Sequence, residues 1–116
     1  MIKVLVIDDH PEQVRTQWAE AKLDNLAILL PMDEVVSFDE AMEQVIYYQP
    51  DVVLLDWYIG STTGGEVLVE IEKEFPEILV LGNSSITGKF EGIVNIDKDG
   101  GKLFDALIPL IKTEKE

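Results

Sequence analysis

The sequence predicts an α/β fold, a doubly wound parallel sheet packed between helices, and three observations carry the prediction. The chain begins with an apolar run, Ile2-Lys3-Val4-Leu5-Val6-Ile7, that ends in Asp8-Asp9. Its middle holds a second run, Pro50-Asp51-Val52-Val53-Leu54-Leu55-Asp56, in which four aliphatic residues stand between a proline and an acid. Such a run reads as a strand buried on both faces, as in the middle of a parallel sheet. Runs of this kind then alternate with helix-spaced apolar stripes in the order βαβαβαβ, a gap, βα, which argues for parallel strands joined by right-handed crossovers.

The elements follow in order. Pro11 suits a first helical turn and Glu12 complements a helix N-terminus. Val14, Trp18 and Ala21 share a face, so a first helix is expected from about residue 11 to 25. His10, the one histidine in the chain, reads as a solvent-facing cap rather than a base or ligand. Residues 26–30, closed by Pro31, are the second strand. Ser37 caps a second helix whose buried face is Ala41, Met42, Val45 and Tyr48, and Pro50 ends it. After Asp56, residues 57–65 read as a loop from their glycines and hydroxyls, and residues 66–75 as a third helix closed by Pro76. Residues 78–81 are the fourth strand, ending in the small polar Gly82-Asn83-Ser84-Ser85. Residues 93–96 are the fifth, leading to Asp97-Lys98-Asp99, and Leu103, Leu107, Leu110 and Ile111 mark a last helix, with Pro109 an irregularity.

At 116 residues the chain is expected to form one domain, 1–116, with no linker or repeat. The lack of cysteine excludes disulfides, thiolate metal sites and cysteine nucleophiles. The amino-terminal run, broken by Asp8 and Asp9, is neither a signal peptide nor a membrane span, so a soluble cytoplasmic protein with no membrane partner is expected. A net charge of −14, from 23 acidic against 9 basic residues, repels phosphate backbones and argues against direct nucleic-acid binding. Most of these acids read as a solvated surface. Asp8, Asp9 and Asp56 differ because they follow buried strands, and ligands of open α/β sheets bind outside the carboxyl ends of strands. Three like charges brought to one sheet edge point to a cation among them.

These residues resemble the receiver domains of two-component response regulators, essentially from end to end. Asp8-Asp9 look like that family's acidic metal-binding pair and Asp56 like its phosphorylated aspartate. Ser84 falls 28 positions beyond Asp56, where the family places Thr or Ser, and Lys98 after the fifth strand looks like its cationic partner. Gly64, eight positions past Asp56, fits the family's glycine after the following loop. The resemblance implies a flavodoxin-like sheet of five parallel strands in the order 2-1-3-4-5. It also implies Mg²⁺ held by Asp9, Asp56, the Tyr58 backbone carbonyl and, through water, Asp8. Asp56 would take a phosphoryl group from a histidine kinase or phosphotransfer protein, with Lys98 and Ser84 binding phosphoryl oxygens. The domain assists its own phosphorylation and dephosphorylation rather than acting as an enzyme on another substrate, and it signals to a downstream protein as a monomer or weak dimer. With no output domain after residue 116, a stand-alone receiver is expected.

The chain also departs from that family. Only 13 residues separate Ser84 from Lys98, and residues 85–92 carry two glycines and no helical apolar stripe. At about 1.5 Å per residue they make two turns at most, so the fourth helix is expected to be missing or much shortened. The family's aromatic residue before the lysine falls on Asn95, or on Val94 or Ile96, none of them aromatic, and its Lys-Pro pair is Lys98-Asp99 here. Tyr58 and Ile86 stand at the positions that in that family influence access of hydrolytic water, and their bulk, by that resemblance, implies slow self-dephosphorylation. Trp57 is read as packing or partner-facing. A second reading keeps the fold and drops the chemistry: a phosphorylation-independent binding module whose altered fourth region is an interaction surface. An aspartyl-phosphate phosphatase is disfavoured, because it needs a second acid where Tyr58 stands.

Overall fold

The apolar runs pair side by side. β1 (Ile2–Ile7), β2 (Ala27–Leu29), β3 (Val52–Leu55), β4 (Leu79–Ser84) and β5 (Asn95–Asp97) form one sheet in the order β2-β1-β3-β4-β5. Every pairing is parallel. This is the expected flavodoxin-like order, seen in a computed structural model that describes residues 2–20, 27–30, 34–84, 90–97 and 108–109. One row crosses the sheet at Ile7, Leu55, Gly82 and Asn95.

Successive side chains of a strand point to opposite faces, and the two faces carry separate cores. On one face Leu5, Ile7, Val53, Leu55 and Val80 meet α2 (Phe38–Tyr48) and α3 (Gly64–Glu74) through Ala41, Met42, Val45, Val67, Leu68 and Ile71. On the other, Val4, Val6, Val52, Leu54, Leu81 and Ile96 meet α1 (Glu12–Glu20) through Val14 and Trp18, with Ile108 alongside. All four β3 residues are buried, which is why this strand reads as an unbroken aliphatic run. Each such side chain contributes about 1.5–3 kcal/mol relative to its exposed state.

Local chemistry sets the helix ends. The Ser37 side chain accepts the Glu40 N–H at 3.2 Å, while the Glu40 carboxylate reaches back to the Val36 N–H at 3.2 Å. That pairing resembles a capping box shifted by one residue. α2 stops at Gln49, which turns left-handed at φ 48° and donates its N–H to the Val45 carbonyl; Pro50 prevents continuation.

Four features differ from the sequence-based expectation. Gly64 and Gly65 belong to the first turn of α3, which starts two residues early because Thr63 caps it. Residues 57–63 are not an irregular loop, since Tyr58–Ile59 and Thr62–Thr63 pair as a small antiparallel hairpin. Gly60 turns it at φ +52°, and a Cβ there would lie 2.2 Å from the Val36 carbonyl oxygen. β4 runs on through Gly82, Asn83 and Ser84 instead of ending at Leu81, and β5 starts at Asn95. Partner strands hold these polar residues extended in the ladder, which local composition does not reveal.

The connection between β4 and β5 carries no fourth helix in its described part. Residues 90–94 follow a bent, non-helical path, and residues 85–89 lie outside the described residues. Phe90 is buried there instead. Among the described residues no helix is long and apolar enough to cross a membrane.

Candidate functional site

The ladder itself brings the acids together. Leu55 pairs with Ile7, and the Asp56 N–H continues the pattern by donating to the Ile7 carbonyl at 3.0 Å. Asp56 therefore stands beside Asp8 at the carboxyl edge of the sheet. One carboxylate oxygen each from Asp8, Asp9 and Asp56 can be chosen so that all three lie within 4.8 Å of one another. Asp8 is 1 % exposed and Asp56 9 %, while Asp9 is half-buried. The expectation that β1 and β3 deliver three carboxylates to one place is met in the geometry.

Backbone donors orient two of them. Asp8 Oδ1 accepts the His10 N–H and Asp56 Oδ1 accepts the Trp57 N–H, each at 2.8 Å. The Asp8 carbonyl accepts the Val35 N–H at 3.1 Å, so the segment leading to α2 is tied to the end of β1. Val36 is in turn bonded through its carbonyl to the Ser61 N–H at 3.0 Å and the Ser61 hydroxyl at 3.2 Å. His10 is exposed, as expected of a residue outside the cluster.

Gly64 packs against the backbone of the segment after Asp56. Its N–H donates to the Trp57 carbonyl at 2.6 Å, and a Cβ at this position would lie 2.1 Å from the Asp56 carbonyl oxygen. No side chain fits there, so the turn after Asp56 depends on a glycine. Tyr58 opens the hairpin two residues after Asp56 and is 53 % exposed.

The remaining expected site residues divide. Ser84 ends β4, opposite Asp97 in the ladder and on the same sheet edge as Asp56. Lys98, Ile86 and the Lys98-Asp99 peptide lie outside the described residues. Asn95 holds the place expected of an aromatic residue and works differently. Its Oδ1 accepts the Phe90 N–H at 3.3 Å, and its Nδ2 donates to the carbonyls of Phe90 at 2.8 Å and Ile93 at 3.3 Å. The Phe90 ring packs edge-on against Trp57, centroids 5.1 Å apart at 77°. Trp57 is thus a packing residue on this side.

Sequence reasoning missed two residues here. Phe90 lies in a segment without a helical stripe, and its signal is a lone large aromatic between glycines. Asn83 reads from composition as one of the small polar residues that close the strand, yet it is 1 % exposed inside β4 and neither amide atom has a hydrogen-bond partner among the described residues.

Comparison with known proteins gives a consistent result. No protein-family model matches the chain. The response regulator protein VraR of Staphylococcus aureus is 34 % identical over 80 residues, 69 % of this chain and 37 % of that protein, so the match spans little more than a third of the curated relative. The response regulator domain of Thermotoga maritima CheB superposes with a TM-score of 0.69 at 25 % identity, covering 97 % of this chain and 95 % of that one. Thermotoga maritima TrrA, a response regulator solved in complex with Mg²⁺ and BeF, gives 0.68 at 21 % identity over 97 % and 98 %.

Proposed function

Because the chain is a response-regulator receiver domain, we propose that it accepts a phosphoryl group on Asp56 from a histidine kinase or phosphotransfer protein and signals through protein contacts that depend on that group. The observation that carries this reading is the convergence of Asp8, Asp9 and Asp56 within 4.8 Å at the sheet edge. The donor set fits Mg²⁺, which prefers hard oxygen ligands and keeps several waters. Asp8, Asp9, Asp56 and the Tyr58 carbonyl would hold it, and when bound it neutralises charge on the incoming phosphoryl group.

The remaining chemistry belongs to the chain's own residues. An Asp56 carboxylate oxygen forms the bond to phosphorus as the bond from phosphorus to the donor's imidazole nitrogen breaks. The electron pair leaves with the imidazole, and Asp56 becomes an acyl phosphate. Charge in this transition spreads over the equatorial phosphoryl oxygens, so positioning and positive charge supply most of the catalysis. Lys98 and Ser84 are the residues we assign to those oxygens. The Trp57 N–H bond to Asp56 Oδ1 holds the carboxylate in one orientation. We assign residues 1–116 to one receiver domain acting in the cytoplasm, and the charge of −14 disfavours a nucleic-acid contact of its own.

Intact mass after incubation with a small acyl phosphate and Mg²⁺ tests the reading. One added phosphoryl group is expected, absent in Asp56→Asn and absent with chelator. A second reading, the phosphorylation-independent binding module, is favoured by Asn95 standing where the resembled family carries an aromatic residue; no mass gain in the wild-type chain would select it.

A further inference from the structure

Asn83 is buried to 1 % exposure, and neither its Nδ2 nor its Oδ1 meets a hydrogen-bond partner among the described residues. Native structures satisfy the great majority of buried polar side chains, and the exceptions call for a ligand, ion or water. The ladder says which ligand is near. Leu55 pairs with Gly82, so Asp56 and Asn83 each follow one residue after the last pair of that ladder, and Asn83 pairs onward with Ile96. Residues at one register of parallel strands share a face. Leu54, Leu81 and Ile96 pack together on one face. Asp56 and Asn83, each two residues beyond Leu54 and Leu81, continue along it.

We propose that Asn83 is an oxygen-binding residue of the acceptor pocket, its Nδ2–H donating to an oxygen of the phosphoryl group carried on Asp56. The proposal rests on the acceptor reading above. A neutral amide suits this place because it supplies a donor to an anionic oxygen without the cost of burying a further charge. It is also held on a strand, so the donor is in position before the group arrives. In the unloaded protein the amide is desolvated and uncompensated, and loading satisfies it. Asn83 therefore favours the phosphorylated state by differential interaction with it.

Asn83→Leu, close in shape and without polar atoms, tests this against a purely structural role. Replacing an uncompensated buried amide by an apolar group of similar shape is close to neutral or stabilising. The unloaded variant is thus expected to melt at or above the wild-type temperature. Its phosphorylation by a small acyl phosphate is expected to slow by about tenfold, the loss of one hydrogen bond to a charged group. The rise in melting temperature with Mg²⁺ and beryllium fluoride, a phosphoryl mimic, is expected to shrink. Asn83→Ser, which keeps a shorter donor, serves if the leucine variant does not fold, and its rate is expected between the two. A folded variant with the wild-type rate and the full rise overturns the role, as does one that melts well below wild type yet keeps the full rise. A wild-type chain that takes no phosphoryl group and shows no rise overturns the acceptor reading and this role together, so the wild-type arm separates the two failures.

Discussion

The two sides of the sheet's carboxyl edge are held by different means. At the β1–β3 side three carboxylates are gathered by the backbone: Asp8 and Asp56 lie beside one another because Ile7 and Leu55 pair and the Asp56 N–H extends the ladder. At the β4–β5 side no helix lies in the described residues 90–94, and one amide side chain, Asn95, clips the backbone of Phe90 while the Phe90 ring packs on Trp57. The first arrangement is a property of two central strands buried on both faces. The second depends on a handful of side-chain bonds, so its local opening free energy is expected to lie nearer the low end of the range across a fold. A group added at Asp56 is one peptide away from Trp57, and Trp57 touches the weaker side directly.

This contrast can be broken most forcefully at Phe90. Removing a ring that is 4 % exposed is expected to cost about 3 kcal/mol or more. Urea denaturation of Phe90→Ala measures it, and the emission of Trp57 should shift as its edge contact is lost. A cost below about 1 kcal/mol would mean that the clip holds little.

On the other side, Mg²⁺ at a hundred times its dissociation constant is expected to stabilise the protein by about 2.7 kcal/mol. Thermal unfolding with and without chelator reads this increment. Asp9→Asn should lose most of it at the same metal concentration. If the two sides are energetically independent, Phe90→Ala keeps the Mg²⁺ increment to within about 0.5 kcal/mol.

Asn95→Leu removes three hydrogen bonds to the backbone of Phe90 and Ile93 and is expected to cost about 1–3 kcal/mol. Amide exchange should quicken at Phe90 and stay unchanged in β1 and β3. Exchange that quickens equally in all strands would show that the region does not open on its own.

The smallest stability effect belongs to Tyr58→Asn, within about 0.5 kcal/mol because the ring is half exposed. Its kinetic effect is larger: loss of phosphate from Asp56 is expected to speed up as the bulk that screens the pocket is removed. Slower loss would contradict the role given to that bulk.

Much of the molecule was legible in the chain. Strands buried on both faces must be aliphatic along their whole length, so β1 and β3 stand out, and an acid directly after each can lie only at the sheet's edge. Ser37 followed by Phe38-Asp39-Glu40 marks the start of α2 by cap chemistry that is local in sequence. The boundaries at Gly82 and Asn95 were less legible because each depends on a partner strand far away in sequence: Leu55 for Gly82, and Gly82 in turn for Asn95.

By itself the sequence determined the fold class, the parallel sense of strands that alternate with helices, and the three acids of the pocket. All of these follow from periodicity and from what must come after a buried strand. Only the tertiary structure decided that Asn83 is a buried amide without a hydrogen-bond partner among the described residues, one residue past the Leu55–Gly82 pair, and that Phe90 and Asn95 pack and bond within the β4–β5 connection. Whether a polar residue is exposed, paired or uncompensated depends on its neighbours across the sheet and on the layer packed over it, and local sequence records neither.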